Sequence, residues 1–405
     1  MHLSSIRLDS PITMGIVIVV TLLAIIAIPL FWERWKRKLL WRTATILCAV
    51  VAIVVTTGLA GNMIGGFFPT LGSLLGTGAY AANTIDAETS ANGENLEVVR
   101  EVGAAHAREG KGTVAHMKVT GRRTKLTRDV TVYLPPQQFE PAYKNLRFPV
   151  IEWIPNYPSG PEVVTDGYKL PEHLDAAIAK RVLPPVVVIM PDPTGVPKIG
   201  HDTECVDEVN GTANDTYLTA DLREWALQKL GVSADRKAWT FAGWSSGGYC
   251  AMNLVTRHPQ WYGQAVSVSG YDRAQMDAET ENLYKGRQDV DDANNVGITV
   301  RLHPSPVDIL AIWGENEKFE SAAAELIRAG VRSPVRFSAW KVPDAGHNMN
   351  TFKSQIPEIL TWIGAHTTPP ATAGRPVETT GGVQPWPLPR SGAAGGLADT
   401  DQGAG

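Results

Sequence analysis

The chain has 405 residues, a mass of 43.8 kDa and a hydrophobic content of 44%, which is enough for a sizeable buried core. This composition excludes a disordered chain and a disulfide-stapled miniprotein. The first 85 residues carry six Lys or Arg and two acidic residues, whereas the remainder carries a net charge of −8, which argues against a nucleic-acid partner. The three cysteines lack the CxxC spacing of a zinc site.

Two uncharged apolar segments lie near the N-terminus, at about 11–32 and about 43–68. Each is long enough for a helix that crosses the roughly 30 Å hydrocarbon core of a bilayer. A cleavable signal peptide is the alternative, but the strong basic cluster at 34–42 follows the first apolar run instead of preceding it. We therefore expect residues 1–68 to form a membrane anchor with two transmembrane helices.

The basic cluster between the two apolar segments sets the expected topology. The positive-inside rule places it in the cytoplasm, so the body that follows residue 68 is expected on the extracytoplasmic side of the plasma membrane. Residues 63–82 are also uncharged and leave open a third crossing, which would return the body to the cytoplasm. Their five glycines and one proline favour a loop or interfacial segment.

The rest of the chain divides by composition into a linker and entry segment at 69–111, a catalytic domain at 112–366 and a disordered Pro/Gly/Thr-rich tail at 367–405. Within the domain, short apolar β-branched runs alternate with amphipathic stretches, which predicts an α/β fold with a mostly parallel eight-stranded sheet covered by helices on both faces. The predicted strands are Thr113–Val119, Val130–Leu134, Val150–Ile154, Val186–Met190, Trp239–Ala242, Gln264–Val268, Ile309–Trp313 and Val335–Lys341. The predicted helices are Pro171–Arg181, Tyr217–Leu230, Ser246–His258, Phe319–Ala329 and Ile356–Ala365.

The strongest chemical signal is Gly243-Trp244-Ser245-Ser246-Gly247, a G-x-S-x-G motif between a predicted strand and a predicted helix. This is the setting of a nucleophile elbow, in which a strained turn lifts the serine hydroxyl above the sheet. Ser245 is therefore the predicted nucleophile, the alternative being an ordinary Gly/Ser loop. Acyl transfer also needs backbone N–H donors for the oxyanion, for which we predict Ser246 and, in the loop after Ile154, Tyr157 or its neighbour Asn156.

A serine nucleophile needs a base and an acid that orients the base, in the chain order Ser, acid, His. His347 follows the last predicted strand and precedes the last helix, so it is the predicted base. The acid is expected after the strand that ends near Gly314, and Glu317 is our prediction. Glu320 and Glu315 remain alternatives, and each of the three glutamates could instead be a solvated surface carboxylate.

From about Gly112 to Ala365 the chain resembles the α/β-hydrolase esterases of the esterase D group, which include the mycolyltransferases of the antigen 85 type. The motifs are DVTVYLPP, FPVIEWIPNYPSG, VVVIMPDPTG followed by DTECVD, FAGWSSGGYCAMNLVTRHPQWYGQAVSVSG, and PDAGHN. The resemblance implies an α/β-hydrolase fold and an acyl-enzyme mechanism on Ser245, with water or a second alcohol as acceptor. The two apolar segments look like those of membrane-anchored actinobacterial members.

The sequence departs from the family pattern in two places. At PNYPSG many relatives have His-Gly or Asp-Gly, and at GENE many have an Asp. The mycolyltransferases take their acid from the following helix, which keeps Glu320 as a candidate. If the body is extracytoplasmic, Cys205 and Cys250 are a possible disulfide, the alternative being a free loop thiol and a buried helix residue.

The sequence thus predicts a membrane-anchored extracytoplasmic serine esterase or acyltransferase that acts on ester or envelope-lipid substrates and needs no cofactor or metal. Two alternatives remain open. One is a catalytically silent binding protein that keeps the fold, and the other is a peptidase on the same fold.

Overall fold

The centre of the computed structural model is a nine-stranded sheet; the structure describes residues 6–34, 37–65, 68, 70–74, 84–86, 96–195 and 201–372. The strands are β1 (Thr84–Asp86), β2 (Thr113–Thr120), β3 (Thr127–Leu134), β4 (Leu146–Arg147), β5 (Val150–Ile154), β6 (Val187–Pro191), β7 (Trp239–Trp244), β8 (Gln264–Val268), β9 (Asp308–Gly314), β10 (Arg336–Val342) and β11 (Ala371–Thr372). The order in the sheet is β1-β2-β3-β6-β5-β7-β8-β9-β10, and β4 pairs separately with β11.

The sheet confirms the predicted fold class, because all eight predicted strands are present with ends shifted by at most three residues. The added ninth strand, β1, has three residues and pairs in parallel with β2 at the sheet edge. Only β3 pairs antiparallel with its neighbours, β2 and β6; every other pairing in this sheet is parallel. Every residue of β5 to β8 is buried, which explains why these strands are apolar without alternation.

The α-helices of the described residues are α1 (Pro11–Phe31), α2 (Lys38–Gly65), α3 (Leu71–Leu74), α4 (Leu96–Arg108), α5 (Leu170–Ala179), α6 (Asn214–Thr216), α7 (Leu222–Lys229), α8 (Ser246–Arg257), α9 (Gln288–Ala293), α10 (Val296–Leu302), α11 (Lys318–Gly330) and α12 (Met349–His366). The helices of the body cover both faces of the sheet. One core cluster lies under α7, α8, α10 and α11, and a second lies under α5 and α12. Parallel crossovers place helices on both faces in this way.

Several helical regions differ from the sequence prediction: α9 and α10 were not predicted, and α12 begins at Met349 instead of Ile356. The region predicted as one helix from Tyr217 is divided, with a wider π-helical turn at Tyr217–Asp221 before α7. Helix α4 lies inside the predicted linker at 69–111, and its Val99 is buried in the core. The folded body therefore begins before the predicted boundary at 112, because α4 supplies apolar cover for the edge strands.

The two apolar segments form a helical hairpin of α1 and α2. Both helices are long and apolar enough to cross a membrane, over Pro11–Phe31 and Lys38–Met63. Few of their residues are buried, so most apolar side chains of the hairpin face outward. After α2, Thr70 pairs with Arg7 and α3 has only four residues, while the rest of the segment predicted as a possible third crossing, 75–82, lies outside the described residues, as does the predicted tail beyond 372.

Candidate active site

Ser245 lies in a sharp turn between β7 and α8, at the edge where the parallel strands end. Its backbone has φ 56° and ψ −121°, a conformation that a residue with a side chain rarely adopts. The Ser245 N–H donates to the carbonyl oxygen of Val268 at 2.9 Å, which ties the turn to β8. The strained turn is thus held by the neighbouring strand, with the serine at the start of a helix whose dipole favours negative charge.

The glycines on either side of Ser245 are required by close backbone packing. A Cβ atom at Gly243 would collide with the backbone of Gly247. A Cβ atom at Gly247 would in turn collide with the carbonyl oxygen of Ile154, at the end of β5. No flexible side chain is available to move aside at either position, so the motif is a steric requirement of this turn.

His347 lies over the serine, in the loop between β10 and α12. The distance from His347 Nε2 to Ser245 Oγ is 3.0 Å, which is hydrogen-bond distance. The imidazole packs against the indole of Trp244, with ring centroids 5.3 Å apart. His347 and Ser245 lie 102 positions apart in the sequence, and the loops after β7 and β10 bring them together.

Two glutamates reach the other nitrogen of the same imidazole. His347 Nδ1 is 2.8 Å from Glu317 Oε1 and 3.2 Å from Glu320 Oε1. The Glu317 side chain is 2% exposed and that of Glu320 is 16% exposed. These three side chains place ligand atoms within 4.8 Å of one another, a donor set that a divalent cation could also accept.

The alternative acid Glu315 does not reach the histidine, which corrects its candidacy. Its carboxylate accepts hydrogen bonds from Lys341 at 3.1 Å and from the backbone N–H of Asp344 at 3.2 Å. These two partners lower the pKa of Glu315. The chain turns directly after β9: the N–H of Glu315 still pairs with the carbonyl oxygen of Val342 on β10 at 2.9 Å, whereas the N–H of Glu317 donates back to the carbonyl oxygen of Gly314 at 3.1 Å.

The Glu317 carboxylate is fixed by neighbours that the sequence analysis did not identify. Its second oxygen, Oε2, accepts hydrogen bonds from the hydroxyl of Ser269 at 2.9 Å and from the backbone N–H of Gly314. Ser269 follows β8, is buried, and has φ 52°. The motif SVSG after a predicted strand is too common to indicate this role, because the contact depends on how β8 and β9 lie side by side.

The carboxylates change the proton affinity of the histidine. Burial by itself would lower the pKa of His347, but hydrogen bonds and charges from Glu317 and Glu320 raise it to about 9. Burial would likewise raise the pKa of Glu320, but its hydrogen bond with His347 lowers it overall. The imidazolium form of His347 is therefore strongly stabilised at this site.

The predicted oxyanion donors lie next to the serine. The backbone N–H of Tyr157 donates to the side-chain Oγ of Ser246 at 2.8 Å, so the β5 loop meets the start of α8. Asn156 is buried and accepts a hydrogen bond from the hydroxyl of Tyr168 at 2.6 Å. The Tyr157 N–H therefore reaches the predicted region, but it is directed at the Ser246 hydroxyl.

A disulfide joins Cys205 to Cys250, with Cα atoms 5.7 Å apart. Cys250 is on α8, five residues beyond Ser245, and Cys205 is in the loop after β6. Beside it, the buried carboxylate of Glu204 accepts hydrogen bonds from the hydroxyl of Tyr271 at 2.8 Å and the N–H of Gln275 at 2.9 Å. Burial raises the pKa of Glu204. Both links hold the loop after β6 against the loops around the serine.

Comparisons of the sequence give a family and two relatives. The family described as "Putative esterase" matches residues 121–365, which is more than half of the chain. An uncharacterized protein of Corynebacterium glutamicum is 25% identical over 350 residues, covering 82% of this chain and 78% of its own length. The MPT51 antigen of Mycobacterium leprae is 40% identical over 57 residues, which is 14% of this chain and 18% of the antigen.

Comparisons of the structure give the same fold. A ferulic acid esterase matches with a TM-score of 0.53 and 18% identity, over 63% of this chain and 98% of that enzyme. An S-formylglutathione hydrolase from Agrobacterium tumefaciens matches with a TM-score of 0.54 and 13% identity, over 64% and 96%. FphF, a fluorophosphonate-binding serine hydrolase of Staphylococcus aureus, matches with a TM-score of 0.51 and 15% identity, over 62% and 98%. The chain belongs to the "Putative esterase" family, the group of antigen 85 and esterase D, and has the α/β-hydrolase fold.

Proposed function

We propose that the protein is a membrane-anchored serine esterase or acyltransferase with Ser245 as nucleophile, His347 as base and Glu317 as the acid that orients the base. The observation that supports this most is the continuous chain of contacts from Ser245 Oγ to His347 Nε2 at 3.0 Å and from His347 Nδ1 to Glu317 Oε1 at 2.8 Å. Membership of an esterase family agrees with that chemistry.

In the proposed reaction, Ser245 Oγ attacks the carbonyl carbon of an ester and gives its proton to His347 Nε2. The tetrahedral intermediate collapses when the alcohol leaves with that proton, which produces an acyl-enzyme on Ser245. Water or a second alcohol, deprotonated by His347, then takes the acyl group. Glu317 holds the imidazole with Nδ1–H toward itself and stabilises the imidazolium, as a carboxylate does in a serine triad.

We favour Glu317 over Glu320 as the orienting acid for three reasons. It is nearer to Nδ1, it is more deeply buried, and its second oxygen is held by Ser269 and Gly314. Glu320 adds negative charge from a more exposed position. In this proposal Glu320 raises the proton affinity of His347 without fixing its orientation.

The proposed oxyanion hole consists of the backbone N–H groups of Ser246 and Tyr157. The helix start at Ser246 supports the first donor. The Tyr157 N–H is within 2.8 Å of Ser246 Oγ, so the Ser246 hydroxyl has to rotate away before the N–H can donate to a substrate oxygen.

The location is part of the same proposal. Two helices of sufficient length support anchoring in the plasma membrane, and the basic loop between them supports a cytoplasmic position for that loop. The disulfide between Cys205 and Cys250 supports an oxidising compartment, hence an extracytoplasmic body. Hydrolysis, in which water accepts the acyl group, and transfer to an alcohol use the same proposed catalytic residues, so both activities are tested.

The test uses a fluorophosphonate probe on the detergent-solubilised protein, with Ser245→Ala and Ser305→Ala as a matched pair. Labelling of the wild type and of Ser305→Ala, and none of Ser245→Ala, is the expected result; Ser245→Ala should also lower ester turnover by about 10⁴-fold or more. Labelling retained in Ser245→Ala contradicts the nucleophile. No labelling of a folded wild-type sample favours the silent binding protein instead.

Hydrolysis of short- and long-chain p-nitrophenyl esters, with and without trehalose, separates the two activities. Acyl-trehalose products would identify a transferase, and free acid alone would identify an esterase.

A further inference from the structure

The short segment before α1 is attached to the segment after α2. Arg7 and Thr70 form an isolated antiparallel bridge, and the N–H of Leu71 donates to the carbonyl oxygen of Ile6 at 2.8 Å. Within the hairpin, Asn62 makes hydrogen bonds with the backbone N–H and carbonyl of Phe68 at 2.8 and 2.9 Å. The end of the hairpin where α1 begins and α2 ends is called the open end here, and backbone hydrogen bonds join its two chain segments.

This open end also contacts the body. Arg7 Nη2 donates to the carbonyl oxygen of Asp166 at 3.4 Å, across 159 residues of sequence. Burial raises the pKa of the Asp166 carboxyl to about 6, and the charge of Arg7 opposes that rise. On α12, burial lowers the pKa of Lys353, and the charge of Asp9 opposes that fall. Charges of opposite sign thus face each other on both sides of the contact.

The contacted part of the body packs against residues of the candidate active site. Asp166 precedes Tyr168, whose hydroxyl donates to Asn156 and whose ring lies 6.1 Å from that of Trp244. Trp244 directly precedes Ser245. Gly167 lies between Asp166 and Tyr168, and a Cβ atom at this position would be 3.7 Å from the side chain of Met349, two residues after His347. The hairpin is therefore docked one layer of side chains away from the serine and histidine.

The hairpin extends away from the body at this point. Its two helices contact each other, and the Oγ1 atoms of Thr21 and Thr56 are 2.7 Å apart. Among the described residues of the hairpin, the buried side chains are Thr21, Ala49 and Leu59, whereas most of the large apolar ones are exposed. At 1.5 Å per residue, the 21 residues of α1 place the basic loop roughly 30 Å from Arg7. A bilayer around the hairpin therefore has one surface at the open end, next to the edge of the sheet that carries Ser245.

We propose that the docked hairpin holds the sheet edge that carries Ser245 against the lipid leaflet at its open end, and that the protein takes its acyl donor from that leaflet. The inference rests on the proposed esterase function and adds the partner surface. The side chain of His347 is 37% exposed, so the site is accessible from outside the body. A soluble ester can also reach Ser245, but a leaflet lipid reaches it at a much higher local concentration.

The first test locates the leaflet with full-length protein in phosphatidylcholine vesicles. Met276→Cys and Leu302→Cys, each made in a Cys48→Ala background, carry a fluorophore at exposed apolar positions on opposite ends of the sheet, after β8 and before β9. Quenching by lipids with spin-labelled headgroups should be several-fold stronger at position 276 than at position 302. Equal quenching, or stronger quenching at 302, overturns the proposal.

The second test breaks the dock. Arg7→Glu places a carboxylate against Asp166, and Arg301→Glu, at an exposed position on α10, is the matched control. Arg7→Glu should lower hydrolysis of p-nitrophenyl palmitate carried in vesicles about fivefold or more, while hydrolysis of dissolved p-nitrophenyl acetate changes less than twofold. Arg301→Glu should change neither.

The outcomes separate the two hypotheses. Unchanged hydrolysis of vesicle-borne ester in Arg7→Glu overturns the dock and leaves the esterase intact. Equal losses on both esters also overturn it, because they indicate general damage. A wild type that hydrolyses neither ester and is not labelled by fluorophosphonate overturns the proposed function itself.

Discussion

The hairpin of α1 and α2 exposes its apolar side chains, whereas β5 to β8 bury every residue. In the described residues, the polar side-chain contacts between the two helices of the hairpin are those of Thr21, with the carbonyl oxygen of Ala52 and the hydroxyl of Thr56. The edge of the sheet around Ser245 instead joins loops from six strands by hydrogen bonds, an ion pair, a disulfide and ring contacts. A hairpin of this kind needs only length and composition, while the site needs exact positions of distant residues.

The largest effect on kcat/KM should come from substitution of a glutamate in the candidate active site. Glu317→Gln should lower kcat/KM by about 10²- to 10⁴-fold, because a neutral amide no longer holds the productive tautomer or stabilises the imidazolium. Glu320→Gln should lower it less than tenfold. Steady-state kinetics on p-nitrophenyl acetate measure both variants. A larger loss in Glu320→Gln than in Glu317→Gln would exchange the two roles.

The next largest effect should come from the disulfide at the sheet edge around Ser245. Its loop spans 45 residues, and closure of such a loop stabilises a fold by about 2 to 4 kcal/mol. We expect the free energy of unfolding of the Cys205→Ser/Cys250→Ser double variant to be lower by that amount in a denaturant titration. The free energy of unfolding of Cys48→Ser, in the hairpin, should be unchanged. Equal midpoints for the double variant and the wild type would contradict the prediction.

The raised pKa of His347 predicts how kcat/KM of the candidate active site depends on pH. The base must be neutral, and it is protonated below its pKa of about 9, so kcat/KM should rise with pH, reach half of its maximum near pH 9 and level off above about pH 10. Glu320→Gln removes a negative neighbour, so its midpoint should move to lower pH. A profile that is flat between pH 7 and pH 10 in the wild type would refute this prediction.

The smallest effect should come from the hairpin. Thr21→Val removes the hydrogen bonds to Thr56 and to the carbonyl oxygen of Ala52, and side-chain hydrogen bonds between membrane helices contribute about 0.6 kcal/mol each on average. Thermal unfolding in detergent should therefore differ from the wild type by no more than about two degrees, with unchanged ester turnover. A loss of several kcal/mol would show that the hairpin is as precisely specified as the site.

Local signals were sufficient for most of the fold. Strands such as β6 and β9 are continuous apolar runs, and a run buried on both faces has no other stable environment. The three-residue strand β1 and the helices α9 and α10 carry weaker patterns because they are short, so they were not predicted. Helix α4 was assigned to a linker because polar residues precede it, although it covers the core through Val99.

The candidate site was predictable in part. Ser245 has a local signature because steric crowding at Gly243 and Gly247 restricts the residue types around it. His347 was selected by chain order and loop position. The choice among three glutamates within six residues was open, because the directions of side chains after a strand depend on the turn that follows it.

The sequence by itself determined the apolar hairpin, the parallel sheet and the serine turn, because hydrophobic periodicity and backbone sterics act over a few residues. Only the tertiary structure decided that Glu317 and Glu320 contact His347 while Glu315 contacts Lys341. It also decided that Ser269 holds Glu317 and that Arg7 lies against Asp166. These contacts join residues tens of positions or more apart, and their distances follow from the packing of whole strands and helices.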